Sequence, residues 1–335
     1  MRTRIVRGTG LAGVAAIIML GLAAPHAQEK PAPGPEYPLA AYDEVKPFGP
    51  GRPGAFAWEP AGVDVDKKTG NVVFLRRSSP AVWVLDTNGK VIRSFGNDLF
   101  VWAHGMHVDP QGNIWATDCA IGPSANSQSQ LQLPDAKVKA AGKGHLVYKL
   151  SPKGKILLTL GKAGQPGSGA DQFECPADVI TGTDGSIFVS DGHEGDHPNG
   201  RVHKFTRDGK LIKIFGKKGK GPGEFGSPHT MAWDSKGRLF IGDRSNGRIQ
   251  IFDADGNFLE ETKAFGGPAG IAITSDDTMV VCCARNTVYI GSAKTLKVES
   301  VIKDVWAEGL AVDEQKNIYV GEVFRHVWRK FTPRK

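Results

Sequence analysis

The feature that most limits how this chain can fold is an internal repeat. An apolar strand, a turn containing Gly, Asn or Asp, and a second apolar strand occur in this order six times along the 335 residues. The six copies begin at Pro60, Ala103, Pro176, Pro228, Pro268 and Ala307. Third and fourth strands follow in most copies, at a spacing of about 40 to 60 residues. The repeat predicts an all-β fold, a six-bladed β-propeller with four-stranded antiparallel blades around a central channel.

The last copy of the repeat has only three strands and ends at Phe331. We expect the segment after Tyr42 to supply the missing fourth strand and to close the ring. The propeller then spans residues 42–335, and a Pro-rich lead-in occupies residues 28–41.

The first 27 residues predict a signal peptide. Arg2, Arg4 and Arg7 form a basic region, and the apolar stretch 11–24 is shorter than the roughly 20 residues of a membrane helix. An uncleaved anchor is the alternative. We therefore expect a periplasmic or secreted protein, a monomer, without membrane contact beyond the signal segment. Removing this segment takes three arginines and no acidic residue, so the net charge falls from +7 to +4, which argues against nucleic-acid binding.

Four cysteines follow: Cys119, Cys175, Cys282 and Cys283. An exported protein can form disulfides, and the sequence leaves all three pairings open. Cys282 and Cys283 are adjacent on one predicted strand and point to opposite faces. For both, a simple buried thiol is the expected state.

The residue at the start of each first strand, where the strand meets the mouth of the central channel, alternates between two kinds. In chain order these residues are Ala61, His104, Ala177, His229, Ala269 and Glu308. Alternate blades of a six-bladed ring are about 120° apart, so the two imidazoles and the carboxylate converge on the channel axis. This set of donors predicts a divalent-metal site for Zn²⁺ or Fe²⁺.

A second ring of residues ends the second strands. Its members are Arg76, Asp118, Asp191, Asp243, Cys283 and Glu322. The Asp residues predict loop caps. Arg76 breaks the Asp pattern and is predicted to bind a substrate carboxylate, in a small molecule or at a peptide C-terminus. Arg244, which follows Asp243, has the same predicted role, with an inter-blade salt bridge as an equal alternative.

Two long loops are expected on the same face. Residues 121–143 are interpreted as a lid, and residues 192–200 carry His193, Glu194, Asp196 and His197, of which His193 is a candidate base. Surface insertions are the alternative for both loops. The other histidines are expected to lie on strands and to serve packing; they are His107, His145, His203 and His326.

Three stretches resemble a known family. They are "LFVWAHGMHVDPQGNIWATD", "FECPADVITGTDGSIFVSDG" and "FGSPHTMAWDSKGRLFIGDRSNGRIQIF". From about Val63 to Phe331 the chain is similar to NHL-repeat six-bladed β-propellers, and specifically to the peptidyl-α-hydroxyglycine α-amidating lyases. The resemblance implies cleavage of the N–Cα bond of a C-terminal α-hydroxyglycine, which gives a peptide amide and glyoxylate.

The resemblance also implies roles for single residues. The family holds zinc with three histidines; His104 and His229 match two of them, and Glu308 stands at the third position. The family's active-site arginines fall on Arg76 and Arg244. Its catalytic Tyr lies after "VSDG", where this chain has His193.

The family's structural Ca²⁺ uses an Asp one residue beyond the third histidine. This chain has Gly309 at that position, which has no side-chain oxygen, so the calcium site is not expected here. These departures leave two other functions open. One is a metal-assisted hydrolase of a lactone or ester, and the other is a non-catalytic exported NHL-repeat binding protein. An enzyme is the favoured interpretation.

Overall fold

Six four-stranded antiparallel sheets follow one another along the chain, which confirms the six-bladed β-propeller. The computed structural model describes residues 36–50, 59–120, 142–193, 198–283 and 286–335. Outside these residues lie the predicted signal peptide, the lead-in up to residue 35, most of the predicted lid, and Glu194, Asp196 and His197. Among the described residues, no helix has the length and apolar character that a membrane span requires.

The strands of the first three blades follow β1 (Tyr42–Val45) in chain order. Blade 1 contains β2 (Pro60–Val65), β3 (Val72–Arg76), β4 (Val82–Leu85) and β5 (Val91–Phe95). Blade 2 contains β6 (Ala103–Val108), β7 (Ile114–Asp118), β8 (Leu146–Leu150) and β9 (Ile156–Gly161). Blade 3 contains β10 (Pro176–Thr181), β11 (Ile187–Asp191), β12 (Arg201–Phe205) and β13 (Leu211–Phe215).

A short parallel pair, β14 (Lys217–Lys218) and β15 (Glu224–Phe225), leads into the second half of the ring. Blade 4 contains β16 (Pro228–Trp233), β17 (Leu239–Asp243), β18 (Arg248–Phe252) and β19 (Phe258–Thr262), with a short 3₁₀ helix at Arg244–Asn246. Blade 5 contains β20 (Pro268–Ile273), β21 (Thr278–Cys283), β22 (Thr287–Ser292) and β23 (Lys297–Lys303). Blade 6 contains β24 (Gly309–Val312), β25 (Ile318–Glu322) and β26 (Val327–Pro333).

The ring closes as expected, because β1 is the outer strand of blade 6. It pairs antiparallel with β26 from Tyr42 opposite Pro333 to Val45 opposite Lys330. One strand from the start of the propeller thus completes a blade built from its end, and the ladder ties the two ends of the propeller together.

Apolar side chains from neighbouring blades fill the spaces between them. The second strands of five blades contribute one fully buried aromatic residue each, and these are Phe74, Trp115, Phe188, Phe240 and Tyr319. Each ring packs against apolar residues of a neighbouring blade. Burying a side chain of this size stabilises the fold by about 1.5–3 kcal/mol, so the blades hold one another in place.

The loop-capping role predicted for the Asp residues at the ends of second strands is present. Asp118 accepts backbone N–H bonds from Val101 and Trp102 at 3.0 and 2.7 Å. Asp191 and Asp243 make the same kind of bond to the residues before their own first strands. These carboxylates therefore position the chain directly before the mouth of the channel.

His203 confirms the packing role that was expected for it. It lies on β12, is fully buried, and contacts the rings of Phe173 and Phe205 at centroid distances of 4.9 and 5.6 Å. Neither ring nitrogen has a hydrogen-bond partner among the described residues. By contrast, His145 and His326 directly precede strands instead of lying on them.

We expect His203→Phe to remove a specific part of the acid sensitivity of folding. Burial, and secondarily Arg201, lowers the pKa of His203 from 6.5 to about 3. Below about pH 6.5, His203 therefore binds a proton in the unfolded chain but not in the folded chain. The free energy of unfolding thus falls as the pH drops. Relative to the variant, the wild type should lose about 1.4 kcal/mol per pH unit, or about 2 kcal/mol between pH 6.5 and pH 5. Urea unfolding of both proteins at both pH values measures this loss. If the free energy of unfolding of the wild type and of the variant depends on pH in the same way, the prediction is wrong.

Candidate metal centre

Four side chains that can bind a metal meet at the mouth of the channel. His104 and His229 lie near the starts of β6 and β16, Glu308 lies directly before β24, and His193 lies two residues beyond β11. Their ligand atoms are all within 4.8 Å of one another. The structure therefore brings together His104, His229 and Glu308, as the alternation of the mouth residues predicts, and adds His193.

Local strand irregularities help to direct these side chains towards the axis. Five of the first strands, all except β24, change register against their second strands at the mouth. Such bulges reorient one side chain, and they recur next to functional sites. Here they occur at the positions of His104 and His229.

The alanines of the alternate blades orient the two mouth histidines. Nδ1 of His104 donates to the carbonyl oxygen of Ala177 at 2.7 Å, and Nδ1 of His229 donates to that of Ala269 at 2.9 Å. Both Nε2 atoms are then free of protons and lie 3.3 and 3.4 Å from Oε1 of Glu308. A carbonyl bonded to the remote nitrogen is a common means of holding a metal-binding imidazole.

His193 was expected to be a base on a loop, and the structure places it inside the cluster. Its ring lies 4.7 Å from that of His104 and 5.0 Å from that of His229. It is 8% exposed, and neither ring nitrogen has a hydrogen-bond partner among the described residues. Burial, with His104, His229 and Arg244 nearby, lowers the pKa of His193 well below 6.5, so the imidazole is neutral at neutral pH.

The prediction for Arg76 is corrected by the structure. Arg76 donates from Nη2 to the carbonyl oxygen of Pro80 at 2.9 Å, and its guanidinium carbon lies 4.5 Å from the centroid of the Trp83 ring. Its neighbour Arg77 reaches Glu308 instead, with Nη2 3.9 Å from Oε1. Consecutive residues of a strand point to opposite sides, so a displacement of one residue selects the wrong side chain.

Arg77 and Arg244 occupy equivalent positions, one residue beyond their second strands. The backbone N–H of Arg77 donates to Glu59 and that of Arg244 to Ser227, in each case the residue before the first strand. From blades 1 and 4 the two guanidinium groups approach the same carboxylate. Nη1 of Arg244 lies 3.3 Å from Oε1 of Glu308 and donates to Nε2 of His229 at 2.7 Å, so the structure brings Arg244 to the cluster as predicted.

The charges around Glu308 keep it ionised. Burial alone would raise its pKa, but the positive charge of Arg244 holds the pKa well below 4.5. Burial, followed by Arg244, lowers the pKa of His229 to about 4. At neutral pH the cluster thus contains an anionic oxygen donor and the neutral imidazoles of His193 and His229, which are the protonation states that metal binding requires.

A disulfide between Cys119 and Cys175 supports two sides of this site. Cys119 donates its backbone N–H to Trp102, and Gly192 donates its backbone N–H to Cys175. The Trp102 ring lies 3.8 Å from the guanidinium carbon of Arg77 and packs edge-on against His193. The remaining cysteines, Cys282 and Cys283, are buried thiols, as expected.

The donor set fits a divalent transition metal. Nitrogen and carboxylate oxygen donors suit Zn²⁺ and Fe²⁺. The buried Nε2 of His104 and both nitrogens of His193 have no hydrogen-bond partner among the described residues, an arrangement that a bound cation would relieve. His104, His229 and Glu308 also line a channel of about 470 Å³, so a small molecule has access to the cluster.

Comparison with known proteins agrees with this architecture. The profile of a family described as 6-bladed beta-propeller matches residues 174–265. Rat peptidylglycine alpha-amidating monooxygenase is 34% identical over 276 residues, which are 75% of this chain and 26% of that protein. Drosophila melanogaster peptidyl-alpha-hydroxyglycine alpha-amidating lyase 1 is 32% identical over 195 residues, 54% of this chain and 31% of that protein. Mouse NHL repeat-containing protein 3 is 27% identical over 294 residues, 81% and 78% of the two chains.

Solved structures share the fold at lower identity. A gluconolactonase from Xanthomonas campestris has a TM-score of 0.60 at 12% identity, covering 83% of this chain and 86% of that one. A streptogramin B lyase has a TM-score of 0.57 at 16% identity, covering 88% and 97%. The chain spans only about a quarter of the length of the amidating monooxygenases that it matches. It is a six-bladed β-propeller that is similar to NHL-repeat proteins and to the peptidyl-α-hydroxyglycine α-amidating lyases.

Proposed function

We propose that this protein is a divalent-metal-dependent carbon–nitrogen lyase that cleaves α-hydroxyglycyl compounds into an amide and glyoxylate. The observation that carries the proposal is the cluster of imidazoles and one carboxylate at the channel mouth, flanked by the buried Arg77 and the partly buried Arg244. The similarity to the amidating lyases supports the same reaction class.

His104, His229 and Glu308 would hold the metal, with His193 beside them. A divalent metal supplies Lewis acidity, which would polarise the α-hydroxyl group of the substrate. Zn²⁺ and Fe²⁺ both suit these donors.

Arg77 and Arg244 would bind the carboxylate of the substrate. Both guanidinium groups already lie next to the carboxylate of Glu308, at 3.9 and 3.3 Å. Arginine pairs well with carboxylates because its donors form a planar fork. A substrate with its carboxylate here would have its α-carbon close to the cluster.

His193 is the candidate base for the α-hydroxyl proton. Its ring is neutral and both nitrogens lack a partner among the described residues, so the nitrogen that carries no proton can accept one. As the hydroxyl proton leaves, the C–O bond becomes a carbonyl, the N–Cα bond breaks, and the nitrogen takes up a proton. The products are a primary amide and glyoxylate, and no further reactant is needed.

Release of glyoxylate from an N-acyl-α-hydroxyglycine tests this proposal. Protein reloaded with Zn²⁺ or Fe²⁺ should release glyoxylate and amide in equal amounts, whereas protein treated with a chelator should not. Absence of glyoxylate from protein with a full complement of metal would reject the lyase.

A lactone or ester hydrolase is the second candidate, and the carboxylate in the donor set favours it. Two imidazoles and a carboxylate with an open position suit the activation of water. Hydrolysis of a sugar lactone by the same metal-loaded protein, without any glyoxylate release, would select this function. Inactivity towards both substrate classes would favour an exported binding protein.

A further inference from the structure

A second group of polar side chains lies in the same channel, away from the metal cluster. Asp64 on β2, His107 on β6 and Thr181 on β10 belong to three adjacent blades and line the cavity. Asp64 and His107 are three residues beyond the mouth positions Ala61 and His104. At a rise of about 3.3 Å per residue, they lie about 10 Å deeper along the channel.

These three side chains form one hydrogen-bonded chain. Nδ1 of His107 is 3.1 Å from Oδ2 of Asp64, and Nε2 of His107 is 2.9 Å from Oγ1 of Thr181. The backbone N–H groups of Val65 and Val108 each donate to Asp64 at 2.7 Å. His107 is thus not the packing residue that the sequence predicts, because both of its nitrogens have polar partners.

The direction of the hydrogen bonds follows from the partners. An ionised carboxylate only accepts, so Nδ1 of His107 carries the proton and donates to Asp64. Nε2 then has a free lone pair, and the hydroxyl group of Thr181 donates to it. A hydroxyl group, an imidazole and a carboxylate in this order are the arrangement by which enzymes activate an alcohol as a nucleophile.

The chain is open to the channel. The side chains of His107 and Asp64 are 21% and 27% exposed, although they lie on the innermost strands of the propeller. Thr181 is held from behind, because Nε1 of Trp233 donates to its backbone carbonyl oxygen at 3.0 Å. A small molecule in the cavity can therefore reach the hydroxyl group and the imidazole together.

We propose that Thr181, His107 and Asp64 form a second, metal-independent catalytic site for the hydrolysis of small carboxylic esters. Oγ1 of Thr181 attacks the ester carbonyl carbon while Nε2 of His107 takes the hydroxyl proton. The alcohol leaves with that proton, and an acyl-threonine remains. Water, deprotonated by His107, then releases the acid and restores Thr181. This activity goes beyond the proposed lyase and does not depend on it.

Hydrolysis of 4-nitrophenyl acetate by chelator-treated protein tests this site. We expect turnover at least about 100-fold faster than that of Thr181→Val, a near-isosteric change that removes only the hydroxyl group. Mass spectrometry of the acid-quenched wild-type reaction should find the acetyl group on Thr181. Thr181→Ser, which keeps a hydroxyl group, should retain most of the activity.

Two results would overturn the proposal. One is equal turnover by the wild type and Thr181→Val, and the other is an acetyl group found only on lysines or other histidines. His107→Gln provides a second variant and should lose turnover while Asp64 stays in place. Urea unfolding of each variant establishes that the propeller is intact, and the chelator separates this activity from that of the metal cluster.

Discussion

Glu308→Ala should abolish stoichiometric binding of Zn²⁺ or Fe²⁺ and lower the metal affinity by at least about 100-fold. Glu308 is the one anionic donor of the cluster described at the mouth, and it lies within 3.4 Å of the Nε2 atoms of His104 and His229. Without it, a doubly charged cation would have to bind next to Arg77 and Arg244 with no negative charge between them. Elemental analysis after dialysis, together with titration calorimetry, measures the loss.

The same substitution should destabilise the metal-free protein. Removing one partner of a buried ion pair costs about 3–5 kcal/mol, because the remaining charge stays buried without compensation. Glu308→Gln keeps the shape of the side chain and should show the same loss of metal affinity.

Glu314→Ala is a matched control on the same blade, since the side chain of Glu314 is 45% exposed. It should bind metal like the wild type and change stability by less than about 1 kcal/mol. One metal ion per chain in Glu308→Ala, bound as tightly as in the wild type, would show that Glu308 is not a ligand.

The fold and three members of the site could be predicted from the sequence because both depend on the repeat. Each copy of the repeat places its first strand next to the axis, so equivalent positions in alternate copies must converge. His104, His229 and Glu308 differ from the alanines of the other copies, and this contrast alone predicts that they meet.

His193 could not be assigned to the cluster from the sequence, because it lies on a loop whose length and sequence differ from one copy of the repeat to the next. Its place depends on the glycine before it, whose backbone N–H bonds to Cys175, and on packing against Trp102. The pairing of Cys119 with Cys175 could not be predicted either, because blades 2 and 3 come together there only in the folded protein.

The choice of Arg76 over Arg77 failed for a different reason. Strand ends cannot be located to one residue from apolar patterns, and one residue reverses the direction of a side chain. A signal was available, however: Arg244 directly follows Asp243, and Arg77 follows Arg76 in the same way. Equivalence with Arg244, which reaches Glu308, would have selected Arg77.

Arg77→Lys should lower kcat/KM for a carboxylate-bearing substrate by about 10- to 150-fold, the equivalent of about 1.5–3 kcal/mol for a hydrogen bond between charged groups. Lysine keeps the positive charge but not the planar fork of donors. Arg76→Lys is the control, because Arg76 donates to Pro80 and stacks on Trp83. It should leave kcat/KM within about threefold of the wild type.

A substrate without the carboxylate separates a binding role of Arg77 from a structural one. Arg77 also contacts Glu308, and its guanidinium group lies 3.8 Å from Glu59, so its loss could act through the cluster instead. If Arg77 binds the carboxylate, an N-acyl-α-hydroxyglycinamide should react equally slowly with the wild type and Arg77→Lys. The reason is that this substrate has no carboxylate with which either side chain could pair. If Arg77 only supports Glu308, the variant should be slower by the same factor with both substrates, and its metal affinity should fall in parallel. The two substrates measured with the two proteins therefore decide which role the guanidinium group has.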